Sequence, residues 1–75
     1  MREVRLNTEK EHERFIQAME EHMSERNLDN KALAELIGVS IKSIYNFRRD
    51  TSRKPSRYLG AKLANALDIK PYEWR

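Results

Sequence analysis

A single glycine divides residues 30–47 into two short apolar patterns, and that corner limits the folds open to the chain more than any other feature. Before Gly38, the residues Leu33, Ala34, Leu36 and Ile37 recur at helical spacing and are expected to face the core. After it, Ile44 and Phe47 do the same. Gly38 can take the left-handed backbone conformation that a β-carbon resists, so the first helix stops there. Ser40 stands in place to cap the next helix. Ala34, Gly38 and Ile44 have one steric job each: a small residue where the helices face one another, a corner, and an aliphatic anchor. Leu33, Ile37, Val39 and Phe47 supply the core around them. The pattern therefore describes two helices crossing steeply through a turn of about three to four residues.

The rest of the chain reads as helix too. Only two glycines and two prolines punctuate its 75 residues, and no alternating run of Val, Ile or Thr lies between turn signals. Thr8 and Glu11 form a capping box that opens a first helix, whose stripe is Phe15, Ile16, Met19 and Met23 and which frays near Asn27. Asp29 caps the helix before the corner. The helix after the corner ends around Asp50, and residues 51–55 form a polar, basic loop. Ser56 caps a fourth helix carrying Leu59, Leu63, Ala64 and Leu67, and Pro71 starts a short closing turn or helix that includes Trp74. The expected architecture is all-α, a compact bundle of about five short helices, with a flexible arm at residues 1–7 and one domain over residues 8–75.

Length and composition set the bounds of function. A chain this short buries only about 60% of its unfolded surface, which allows one core. Without cysteine there is no disulfide framework and no thiolate site, which fits a reducing cytoplasm. No stretch approaches the roughly 18 to 20 apolar residues of a membrane span, and the charged start lacks the apolar run of a signal peptide. His12 and His22 stand ten residues apart and share no metal site, and the glutamates fall on an exposed helix with no desolvated cleft. No catalytic residue, metal ligand or cofactor is expected.

Charge points to a partner. Residues 1–26 hold five basic and seven acidic side chains, a net of −2, whereas residues 27–75 hold ten basic and five acidic, a net of +5. Between residues 40 and 62, Lys42, Arg48, Arg49, Arg53, Lys54, Arg57 and Lys62 are opposed by Asp50 alone. So concentrated a basic segment is the footprint of a polyanion binder, the alternative being a solvated face.

The run NKALAELIGVSIKSIYNF at residues 30–47 resembles the DNA-binding helix-turn-helix of the lambda-repressor and Cro-like family. The basic loop with Pro55, the run KLANALDI at residues 62–69 and the following Trp74 look like that family's fourth helix and closing aromatic, so the resemblance covers about residues 15–74. It implies a helix laid in the major groove. The face turned away from Ile44 and Phe47 then supplies base contacts from Ser40, Ile41, Lys42, Tyr45, Asn46 and Arg49. Lys42 suits guanine O6 or N7 and Asn46 suits adenine N6 and N7, while Ile41 or Tyr45 suits a thymine methyl. Ile41 departs from the polar residue common there, and burial beside Val39 is its alternative. Tyr45 can instead lie along the helix with its hydroxyl on a phosphate.

Phosphate contacts are implied from two clamps. One is the start of the helix before the corner, with Asn30 and Lys31, where amides and the helix dipole favour an anion. The other is Arg53, Lys54, Ser56 and Arg57. Arg48 is open between solvent, Glu35 and DNA. The acidic first helix (Glu9, Glu11, Glu13, Glu20, Glu21) faces away from DNA, as a solvated face or a docking surface. The expected function is a sequence-specific double-stranded DNA-binding regulator, a repressor of phage or mobile-element type acting as a homodimer on an inverted repeat. The alternative is a protein-interaction module on the same fold. The chain is either whole or the amino-terminal domain of a longer repressor.

Overall fold

A computed structural model describes residue 6, residues 9–49 and residues 57–75, with Arg57 described in its backbone alone. Thr8, Asp50, the basic loop at residues 51–55, Ser56 and all of the expected arm except Leu6 lie outside the described residues. Four α-helices follow in order: α1 (Glu9–Glu25), α2 (Asn30–Ile37), α3 (Ile41–Arg49) and α4 (Arg57–Leu67). A 3-10 turn, Pro71–Glu73, closes the chain. The five expected helices are thus four α-helices and one short turn, and no strand occurs among the described residues.

The ends of α1, α2 and α4 follow a common rule. Residues Asn27, Gly38 and Asp68 all take positive φ, at 54°, 73° and 58°. Asparagine and aspartate tolerate this conformation better than other residues with a β-carbon. In each case the next residue returns its amide to the carbonyl four residues before the left-handed one: Leu28 to Met23 (2.9 Å), Val39 to Ala34 (3.0 Å) and Ile69 to Ala64 (2.9 Å). That is the reverse turn expected at a helix C-terminus, with an apolar residue following it into the core. Leu28 and Val39 are partly buried there and Ile69 is buried.

The starts of α2 and α3 are capped as the sequence suggests. Asp29 accepts from the Ala32 amide at 2.7 Å, and Ser40 accepts from the Ser43 amide at 3.2 Å. Each satisfies a backbone donor that a helix start leaves without an intrahelical partner.

Phe15, Met19, Leu33, Ile44, Leu63 and Leu67 are the largest fully buried side chains, so every helix sends at least one residue to a common core. The Phe15 ring meets the edges of Phe47 and Trp74, with centroids 5.7 and 5.2 Å away. Such edge contacts contribute about 0.5 to 1.5 kcal/mol each beyond area burial. Through them α1 holds both α3 and the closing turn. Leu6 also packs against the core.

One expected core residue is not in it: Leu36 is 58% exposed. At about 100° per residue it lies roughly 105° from the middle of the stripe formed by Leu33, Ala34 and Ile37, at the margin of the inward face of α2. Leu33 and Ala34 face inward and Ile37 is partly buried, so the apolar stripe of α2 is narrower than its composition suggests.

A polar residue takes a core place instead. His12 is buried and its Nε2 donates to the Phe47 carbonyl at 2.9 Å, with its ring against the Phe47 ring at 5.4 Å. This side chain satisfies a carbonyl near the C-terminus of α3, where intrahelical donors run out.

Candidate nucleic-acid interface

The interface is built on α3, nine residues long, with Ile44 and Phe47 pressed into the core and the corner at Gly38 setting where the helix begins. Ile41, Lys42, Tyr45, Asn46 and Arg49 are all exposed. With 100° between successive residues they fall within an arc of about 140°, centred opposite the buried pair. The arc presents an ammonium, a guanidinium, an amide, a phenol and one aliphatic chain. Ile41 is 37% exposed and Tyr45 46%, so Ile41 does not tuck away beside Val39, and both leave apolar surface on the polar arc.

Ser40 is exposed but lies off that arc. Its hydroxyl is engaged in the helix cap and sits 3.0 Å from the Ser43 hydroxyl. Five of the six expected base readers therefore come together, and the sixth belongs to the helix start.

At the first phosphate clamp, Lys31 is exposed and Asn30 is half-buried. The Asn30 side chain is engaged: its Oδ1 accepts from Arg48 Nη1 at 2.9 Å. Arg48 also pairs with the Glu20 carboxylate. The partners of Arg48 are thus Asn30 at the start of α2 and Glu20 on α1, and not Glu35. Nothing in the sequence marked Glu20 apart from the other glutamates of its helix. The second clamp, Arg53, Lys54, Ser56 and the side chain of Arg57, falls outside the described residues.

The electrostatics of the closing turn are separate from α3. Glu73 is held below the ordinary glutamate range, chiefly by the Lys70 amide, which donates to its Oε2 at 2.6 Å, and secondarily by His22. Partial burial works the other way. His22 Nδ1 lies 3.3 Å from an Arg26 guanidinium nitrogen. A guanidinium has no acceptor, so Nδ1 accepts there and Nε2 donates to Glu73 Oε1 at 2.9 Å. Asp68 and Lys70 form a surface pair at 2.7 Å; their hydrogen bond, and then their mutual attraction, lowers the aspartate and raises the lysine.

No group of three or more His, Cys, Asp or Glu side chains that could hold a metal ion occurs among the described residues. No helix described is long and apolar enough to cross a membrane.

A capped corner between two short helices, with the second turning a basic, amide-bearing face to solvent, defines a DNA-binding helix-turn-helix domain. The family model HTH_3, described as Helix-turn-helix, matches residues 19–74, which is 56 of the 75 residues. The chain belongs to this Cro/C1-type family and is a DNA-binding transcription regulator. No curated protein and no solved structure matches it.

Proposed function

We propose that the chain is a repressor of the phage or mobile-element type, which works in the cytoplasm as a homodimer and occludes a promoter at an inverted-repeat operator. The observation that carries sequence-specific reading is the exposed arc of α3, where Lys42, Asn46 and Arg49 stand among Ile41 and Tyr45. In a major groove these are the groups that distinguish base edges: cations for guanine, an amide for adenine, and apolar surface for a thymine methyl. Asn46 is the principal base reader, with Lys42 beside it. Ser40, at the helix start, adds a hydroxyl.

Phosphate contacts orient the domain without reading sequence. Asn30 and Lys31 supply one clamp, at the positive end of the α2 dipole, and Arg53, Lys54, Ser56 and Arg57 supply the other. One helix reads few base pairs, so two copies on half-sites roughly 34 to 36 Å apart give the affinity an operator requires. Occlusion needs no further domain.

The test is Asn46→Ala measured on an operator duplex and on its scrambled counterpart. Loss of preference by roughly 1 to 3 kcal/mol, with little change on the scrambled duplex, supports the assignment. Equal loss on both duplexes removes Asn46 from base reading.

A further inference from the structure

We infer that Arg48 is a positioning residue for DNA binding, one that sets the amide of Asn30 and links it to Glu20 on the acidic helix. The inference rests on the DNA-binding reading above and extends it to two residues outside the base-reading arc.

A guanidinium only donates, so the Asn30 atom 2.9 Å from Arg48 Nη1 is its oxygen. The remaining end of that amide carries two N–H donors and no acceptor. With the oxygen turned to Arg48, Asn30 offers only donors to anything beyond it at the start of α2. A phosphate only accepts. The opposite flip of the amide would present a carbonyl oxygen, which a phosphate repels, and the Arg48 contact removes that flip.

Arg48 itself is committed elsewhere. Its Nη2 donates to the Glu20 carboxylate, and its side chain is 24% exposed against 53% for Glu20. Its charge is balanced inside the protein, so its effect on DNA passes through Asn30. The three residues belong to α1, α2 and α3, and they hold the start of the clamp helix at a set position beside the reading helix.

The experiment compares the native chain with Arg48→Met, Asn30→Ala, the double variant and Glu20→Gln, on a duplex that the native chain enriches from a random pool. Arg48→Met and Asn30→Ala are each expected to weaken binding about tenfold, as loss of one charge-assisted hydrogen bond does. The double variant is expected to bind no worse than Asn30→Ala alone, because both changes remove the same contact. If its loss is instead the product of the two single losses, about a hundredfold, then Arg48 acts by its own charge or by general support of the fold, and the inference is overturned.

Glu20→Gln gives the opposing signs. Removing a carboxylate ordinarily strengthens binding to DNA, but loosening Arg48 is expected to weaken it about twofold, against that trend. Tighter binding by Glu20→Gln overturns the inference, since releasing Arg48 then costs less than the lost carboxylate gains. The Glu20 carboxylate is more than half exposed, so this sign stands even if Arg48→Met melts early. A native chain that enriches no duplex overturns the DNA-binding reading itself, before any variant is compared.

Discussion

Replacing His12 by phenylalanine isolates a single hydrogen bond. The phenylalanine ring keeps the volume of the site and the edge contact with Phe47, whose centroid is 5.4 Å away, but loses the Nε2 donor to the Phe47 carbonyl at 2.9 Å. His12 is 3% exposed, so little water can reach the carbonyl from its side. Leaving a buried acceptor without its donor costs about 1 to 3 kcal/mol. Taking about 2 kcal/mol, and about 4 to 8 °C per kcal/mol for a domain of this size, the melting temperature falls by about 8 to 16 °C. His12→Gln, which retains an N–H donor on a more flexible chain, is expected to recover part of that loss. Thermal unfolding followed by circular dichroism at one protein concentration reads both. If His12→Phe melts within about 2 °C of the native chain, the bond is not what ties α1 to the end of α3, and the reasoning fails.

Three further outcomes are expected. Gly38→Ala places a methyl where nothing lies within 4 Å, so its cost is conformational alone: about 1 kcal/mol for a side chain at positive φ, read as a drop of about 4 to 8 °C in melting temperature. Because the Glu73 carboxyl titrates lower folded than unfolded, its stabilisation is present above the ordinary glutamate range and lost as pH falls through the depressed value. Glu73→Gln should therefore be less stable than the native chain at neutral pH and converge with it in acid, checked by urea unfolding across a pH series. Arg57→Ala is expected to weaken binding similarly on every duplex and to make the salt dependence shallower by about one, measured by titration at several salt concentrations.

The corner was the most legible part of the fold. Gly38, Asp29 and Ser40 act locally, through backbone conformation and first-turn amides, and local chemistry is visible in a short string of residues. The terminations at Asn27 and Asp68 follow the same left-handed rule, yet neither carries the unmistakable signature of a glycine. A polar αL-tolerant residue followed by Leu28 or Ile69 was the available signal. Leu36 shows the opposite limit: three residues from Leu33, it was expected in the core, yet it stands 58% exposed at the margin of the buried stripe.

The interface was legible as far as helical periodicity reaches. Ile41, Lys42, Tyr45, Asn46 and Arg49 share an arc because they share one helix. What depends on contacts between helices was not legible. His12 meets Phe47 across 35 positions and Arg48 meets Glu20 across 28, and no spacing within one helix encodes either pair.

The claim that α3 reads double-stranded DNA in pairs is tested most directly by selection from a random duplex pool, followed by titration of the enriched sequence across a salt series. The account predicts an inverted repeat with half-sites about one helical turn apart, and affinity falling by roughly 0.9 log units per phosphate for each log unit of salt. If no sequence enriches and binding is negligible even at low salt, the exposed face of α3 is not a DNA reader and the account is contradicted.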